Sequence, residues 1–181
     1  MIKYGDEFYI QQKTGWYLRT DISGGYKASP DGYNSPREGC EAAIACLDAK
    51  GMTVNAISTW FETAPVPVSD QPWFNNAVIA AETTVPVDKA LAALHEIEGL
   101  FGRVRTVRNA ARVLDLDLLD YGGLCHDVPG LTIPHPRLQE RAFVLLPLRD
   151  VAPDYRHPVT DVGIDELISR LPPDQMIRPM A

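Results

Sequence analysis

Several features that would set this chain apart from ordinary globular proteins are missing. It has no apolar run near the roughly 20 residues needed to cross a bilayer. Met1 to Ile10 lacks a basic stretch followed by an apolar one, so it does not read as a secretory signal. Cysteine is scarce: Cys40, Cys46 and Cys125 form an odd count without metal-ligand spacing. Cys40 and Cys46 would point to different faces of a helix, and reduced thiols in a cytoplasm are the simplest reading. Excess positive charge is absent too; a formal net charge of −7 argues against sequence-independent binding to nucleic acid. There are no internal repeats and no low-complexity tracts.

What remains is 181 residues, 45% hydrophobic and 23% charged, enough for one domain with a real core and crowded for two. Ser35-Pro36-Arg37-Glu38 reads as a helix start, with Ser at the N-cap and Pro in the first turn. Gly51 stands where a left-handed stop is expected. Met52 to Phe61 reads as a strand, Ala64 to Pro72 as a proline-rich loop, and Asn76 to Thr83 as a second strand. Leu91, Leu94 and Ile97 mark a helix within Thr84 to Phe101, closed by Gly102. Val113 to Leu119 is a short apolar strand, followed by a loop with Pro134-His135-Pro136, an apolar segment from Phe143 to Leu148 and a short helix near Ile164 to Leu171. Residues 172–181 read as a tail. With a first strand before Ser35, the order is that of an α+β ferredoxin-like sandwich, an antiparallel sheet with helices packed on its faces. Tyr17 to Ile22 is the preferred first strand; Glu7 to Gln12 is the alternative, and the two segments can instead form a hairpin around Lys13-Thr14-Gly15.

Asp115 and Asp117, two apart in a strand, point to one side while Leu114, Leu116 and Leu118 face the core. Paired carboxylates suit a Mg²⁺ ion that also takes substrate phosphates; a D-x-D strand can equally be a solvated face. Arg103, Arg105, Arg108 and Arg112 crowd into one segment just before the pair, either as an anion contact or as a basic face paired with nearby carboxylates. Arginines beside a carboxylate clamp are what phosphoryl transfer requires, because its transition state is stabilised by positioning and charge neutralisation. His95 and Glu98 share a helix face near the same corner, or form an exposed local pair. Trp73, Phe74 and Asn76, beside the proline-rich loop, can grip a flat heterocycle by stacking and an amide edge, or Trp73 and Phe74 can simply cap the core.

Several stretches together resemble the 6-hydroxymethyl-7,8-dihydropterin pyrophosphokinase family. They are Phe61-Glu62-Thr63-Ala64-Pro65, Asp70-Gln71-Pro72-Trp73-Phe74-Asn75-Asn76-Ala77 and Gly102-Arg103-Val104-Arg105. Arg112-Val113-Leu114-Asp115-Leu116-Asp117, Pro134-His135-Pro136-Arg137 and Glu140-Arg141-Ala142-Phe143 follow in the family's order. The resemblance implies a ferredoxin-like fold, and transfer of the β,γ-diphosphate of ATP to the pterin hydroxymethyl group with release of AMP. It implies two Mg²⁺ ions bridged by Asp115 and Asp117. It places Asn76 and Phe143 on the pterin, with Thr63, Val66 and Phe74 lining its pocket. Glu98, Arg105, Arg112, His135 and Arg141 would attend ATP, and Arg103 and Arg112 would lie in a catalytic loop that closes over the substrates.

Two departures from the family pattern accompany it. The loop Thr106-Val107-Arg108-Asn109-Ala110-Ala111 is one residue shorter and lacks the usual Trp-Gly-Pro. The usual Gly-Ser-Asn after the first strand has Gly24-Gly25-Tyr26 as its nearest equivalent, behind an atypical leader at residues 1–14. Residues 15–171 are therefore the expected catalytic domain, acting on small molecules and not on nucleic acid or membranes. The alternative is an impaired relative that binds pterin or nucleotide without transferring anything.

Overall fold

Helix formation begins where the sequence marks it. The Ser35 side chain accepts from the Glu38 backbone N–H at 3.2 Å, capping α1 (Pro36–Ala45). A 3-10 turn follows and ends at Gly51, whose φ of 75° is the left-handed conformation that glycine adopts without strain. In the computed structural model, residues 15–23, 35–64, 73–101 and 114–180 are described, residues 15–23 and 36 by backbone alone.

The main sheet is antiparallel throughout. Its strands are β1 (Gly15–Ser23), β2 (Met52–Ile57), β3 (Phe61–Thr63), β4 (Phe74–Thr83), β5 (Asp115–Tyr121) and, after the β6–β7 hairpin (His126–Val128 and Leu131–Ile133), β8 (Ile177–Pro179). The order is β5-β1-β4-β3-β8, with β2 also on β4. The first strand contains the preferred Tyr17 to Ile22 and is central, paired with β4 from Gly15↔Glu82 to Ser23↔Phe74 and with β5 on its other side. Residues 1–14, 24–34, 65–72, 102–113 and 181 lie outside the described set, and with them the Glu7 to Gln12 alternative, the Gly24-Gly25 turn and Gly102.

The single strand expected over Met52 to Phe61 is two. β2 pairs with the C-terminal half of β4 and β3 with its N-terminal end. Between them Ser58 keeps the ladder going by other means: its N–H donates to Val78 O at 2.9 Å and its hydroxyl accepts from Val78 N–H at 3.0 Å. The segment read as a tail contains a strand at Ile177–Pro179. β8 adds to β3, and Met180 N–H donates to Trp60 O at 2.8 Å. The pairing is supplied by the open edge of β3, so a three-residue strand ending in proline needs little signal of its own.

Helices cover both faces of the sheet. Cys40, Ala43 and Leu47 of α1 and its following turn, and Ala90, Leu94 and Ile97 of α2 (Val87–Leu100), bury against Ala77, Ile79 and Ala81 of β4 and Leu114, Leu116 and Leu118. The opposite face carries Val78 and Leu119, packed on Val144, Leu145 and Leu148 of α3 (Ala142–Val151) and Ile164 and Leu167 of α4 (Ile164–Ser169). The apolar segment at Phe143 to Leu148 is thus a helix, one side of which fills this second core. A fully buried leucine contributes roughly 1.5–3 kcal/mol, so the two layers hold the sheet between them. No helix among the described residues is long and apolar enough to cross a membrane.

Candidate active site

Strand alternation sorts the site residues. Since Leu116 and Leu118 face the first core, Asp115 and Asp117 face the other side, the same side as Val78 and α3. Asn76 also lies on that side, two residues before Val78 on β4. In register, Asn76 pairs with Asp21 of β1, and Asp21 pairs with Asp115. Asn76 and Asp115 therefore stand in one row across the sheet, two strand spacings or about 10 Å apart.

Each end of that row is held by its neighbours. Asn76 is 1% exposed, and its Nδ2 donates to Thr63 Oγ1 at 2.9 Å and to Phe74 O at 3.0 Å. Both amide hydrogens are thereby used, so Oδ1 is the group it can present as an acceptor. At the other end, Arg141 Nη1 lies 3.8 Å from Asp117 Oδ2, and the Arg141 guanidinium sits 5.4 Å from the centre of the Phe143 ring. Phe143, half-buried at the start of α3, thus stands beside the arginine that reaches the carboxylates.

Among the described strands β5 lies at an edge of the sheet, and two site residues cover its outer side. Glu98 of α2, 1% exposed, accepts from Leu116 N–H at 2.8 Å, between the two aspartates. His135 N–H donates to Leu119 O at 2.8 Å. The His135 Nδ1 accepts from Arg137 N–H at 3.1 Å, which leaves the ring hydrogen on Nε2 in the neutral tautomer. The peptide before Pro134 is cis.

A cleft of about 290 Å³ follows this edge, lined by His95, Asp115, Asp117, Thr132 and His135 with Leu91, Leu118 and Leu131 as apolar walls. Thr132 is a lining residue that sequence reasoning did not single out; it lies on β7, within a hairpin read as loop. A second cleft of about 450 Å³, behind the Thr132–His135 segment, holds His126, His157 and Gln139 and neither carboxylate. The structure thus gathers Asp115, Asp117 and His135 at one cleft, with Glu98 beneath it and Arg141 and Phe143 beside the carboxylates. Thr63, Phe74 and Asn76 form a separate group along the row. Arg103, Arg105, Arg108, Arg112 and Val66 lie outside the described residues.

Beyond the cleft, β5 bulges against β1, where Leu118 pairs with Leu18 and Asp120 with Tyr17. Asp120, buried, accepts from Tyr155 Oη–H at 3.1 Å and from Gly123 N–H at 2.9 Å. Burial raises its carboxyl above the ordinary range, opposed by these bonds and by His157. Burial likewise lowers His157, opposed by Asp120.

No three His, Cys, Asp or Glu side chains among the described residues converge on a common metal position. Asp115 and Asp117 still fit Mg²⁺, which is typically held by one or two carboxylates with the remaining positions taken by water and substrate phosphates.

Comparison with known proteins gives the family. The 7,8-dihydro-6-hydroxymethylpterin-pyrophosphokinase (HPPK) family matches residues 32–153. A 2-amino-4-hydroxy-6-hydroxymethyldihydropteridine pyrophosphokinase from Pseudomonas aeruginosa is 41% identical over 134 residues, covering 74% of this chain and 83% of that protein. Its namesake from Haemophilus influenzae is 35% identical over 154 residues, 84% of this chain and 96% of its own. The folic acid synthesis protein fol1 of Pneumocystis carinii is 38% identical over 138 residues, 76% of this chain. The chain spans only 18% of that protein's length, and 23% of the Schizosaccharomyces pombe fol1 protein. The chain belongs to the 7,8-dihydro-6-hydroxymethylpterin-pyrophosphokinase family.

Proposed function

We propose that this protein transfers the β,γ-diphosphate of ATP to 6-hydroxymethyl-7,8-dihydropterin, giving AMP and the pterin diphosphate for folate synthesis. The observation that carries the reading is the row from Asn76 to Asp115, which sets an amide acceptor and a carboxylate pair about 10 Å apart on one face. A pterin ring fits between an amide that reads its edge and the phosphates held at the carboxylates. The family membership and the names of the two bacterial relatives support the same substrates. The strand order, a split β-α-β repeated in sequence, supports a ferredoxin-like sandwich.

Asp115 and Asp117 would hold Mg²⁺, two ions on this reading, which when bound neutralises phosphate charge. The pterin hydroxymethyl oxygen attacks the β-phosphorus, the bond from that phosphorus to the α,β-bridging oxygen breaks, and AMP departs with that oxygen. The hydroxyl proton is lost to solvent. Arg141 donates to phosphate oxygens, as do Arg103, Arg105 and Arg112 on the resemblance, and His135 offers Nε2–H to the nucleotide. Asn76 Oδ1 accepts from a pterin N–H, while Phe74 and Phe143 supply aromatic surface and Thr63 holds the amide in place. On the resemblance Val66 would line the pterin pocket, and Glu98 fixes the strand between the aspartates. Cys40, Cys46 and Cys125, which form no disulfide, suit a reducing cytoplasm.

Incubation with ATP, Mg²⁺ and 6-hydroxymethyl-7,8-dihydropterin tests the proposal, read by the nucleotide product. Pterin-dependent AMP is expected. ADP, or no consumption of nucleotide, rejects it.

A further inference from the structure

The segment after α4 touches the site from an unexpected direction. Gln175 Oε1 accepts from Ala142 N–H at 2.7 Å, and Gln175 Nε2 donates to Glu140 O at 2.8 Å. The two bonds straddle Arg141, joining the residue before it and the residue after it. The need for them is local. Arg141 is the N-cap of α3, and an arginine side chain carries no acceptor for the first N–H groups of a helix. Gln175 supplies that acceptor from more than thirty residues away and ties down the preceding carbonyl with the same amide.

Gln175 is itself anchored. The next residue, Met176, accepts through its carbonyl from Ala64 N–H at 3.1 Å, directly after Thr63. β8 then pairs with β3, and Arg178 donates to Glu62 while lying 4.6 Å from the Trp73 ring centre. The C-terminal segment thus joins the strand that holds Asn76 to the helix start that carries Arg141.

We propose that Gln175 is a positioning residue for the nucleotide side of the site, fixing the backbone on both sides of Arg141 so that its guanidinium is held over Phe143 and toward Asp117. This rests on the reading of Arg141 as a phosphate ligand. Nothing in the sequence around Gln175 points to the role; it comes from the pairing of β8.

The test is calorimetry with α,β-methylene ATP and Mg²⁺, an analogue whose α,β bridge cannot be cleaved by the transfer. Wild type, Gln175→Met, Arg141→Ala and the double variant are compared, with thermal unfolding recorded for each. Methionine keeps the side-chain volume and removes both hydrogen bonds. Gln175→Met is expected to weaken analogue binding about tenfold, the scale of two neutral hydrogen bonds, and to add nothing in the Arg141→Ala background. Unchanged binding with a lowered melting temperature reduces Gln175 to a structural cap and overturns the proposal. An undiminished loss in the Arg141→Ala background overturns it as well. A wild-type protein that binds the analogue but makes no AMP sinks the proposed reaction alone. A wild-type protein that does not bind the analogue sinks both.

Discussion

Asn76 and Asp115 are paired with the same residue, Asp21, from opposite sides of β1. That common neighbour fixes their separation at two strand spacings and their side chains on one face, however the surrounding loops are arranged. It also divides the expected effects of substitution into two groups.

At the carboxylate end, Asp115→Asn and Asp117→Asn each remove charge with little change of shape. Transfer is expected to fall by at least about 100-fold, the scale of losing an electrostatic stabiliser in a transition state. Steady-state assays at saturating Mg²⁺ check this, with thermal unfolding showing that the fold is retained. Wild-type turnover in either variant rejects the metal assignment.

At the other end, Asn76→Ala removes the Oδ1 acceptor and the bond to Thr63. Pterin affinity is expected to drop by roughly 10-fold or more, in line with losing a buried hydrogen bond, while the ATP analogue binds within about twofold of wild type. Equal losses for both ligands contradict the division of the site.

The sheet's broken edge gives a stability prediction. Ser58→Ala leaves Val78 N–H in the middle of β4 without its hydroxyl acceptor, in a buried position. A cost of about 1–3 kcal/mol is expected, measured by denaturant unfolding. A midpoint unchanged from wild type would mean that β2 and β3 close up to replace the bond.

Asp120 and His157 give opposite pH dependences. Burial raises the folded-state pKa of Asp120 above its ordinary 3.8, so the folded chain holds that proton to higher pH than the unfolded chain does. Its contribution is full below 3.8 and is lost as pH rises through the folded pKa. Burial lowers His157 from 6.5, so its contribution is full above 6.5 and is lost as pH falls through the folded pKa. Asp120→Asn keeps an acceptor for Gly123 N–H and removes the buried charge. Its melting temperature is expected to exceed wild type at pH 7, because the charge that burial penalises is gone. The gain should shrink toward pH 4; a gain independent of pH would show that the carboxyl charge is not its source.

Much of the frame was legible because local signals and burial agreed. Ser35 carries its own cap, and Leu114, Leu116 and Leu118 alternate with two aspartates and fill the first core. Tyr17 to Ile22 was readable as a strand, although its place between β4 and β5 is set by partners far along the chain. What failed to show lay in partnerships. The interruption at Ser58 depends on Val78, the β6–β7 hairpin pairs only three residues on each side, and β8 exists because β3 offers an edge. The segment at Phe143 was visibly apolar, but the sequence did not distinguish a helix from a strand there. Near the site, the aspartates and His135 stood out by spacing and motif, whereas Gln175 and Thr132 are placed by contacts that no local pattern records.

The central position of β1 also governs how the molecule comes together. Asp21 and Asp115 are almost a hundred residues apart in the chain, yet their pairing sets the carboxylate end against the amide end. Such distant closures are the slow part of folding, since the intervening chain must be gathered before the contact rewards it. On a ribosome, β1 is made long before β5 and keeps one edge open until β5 arrives, as a growing chain with an unfilled strand slot. An interrupted synthesis that ends after α2 leaves β1 and β4 without the strand that carries the aspartates.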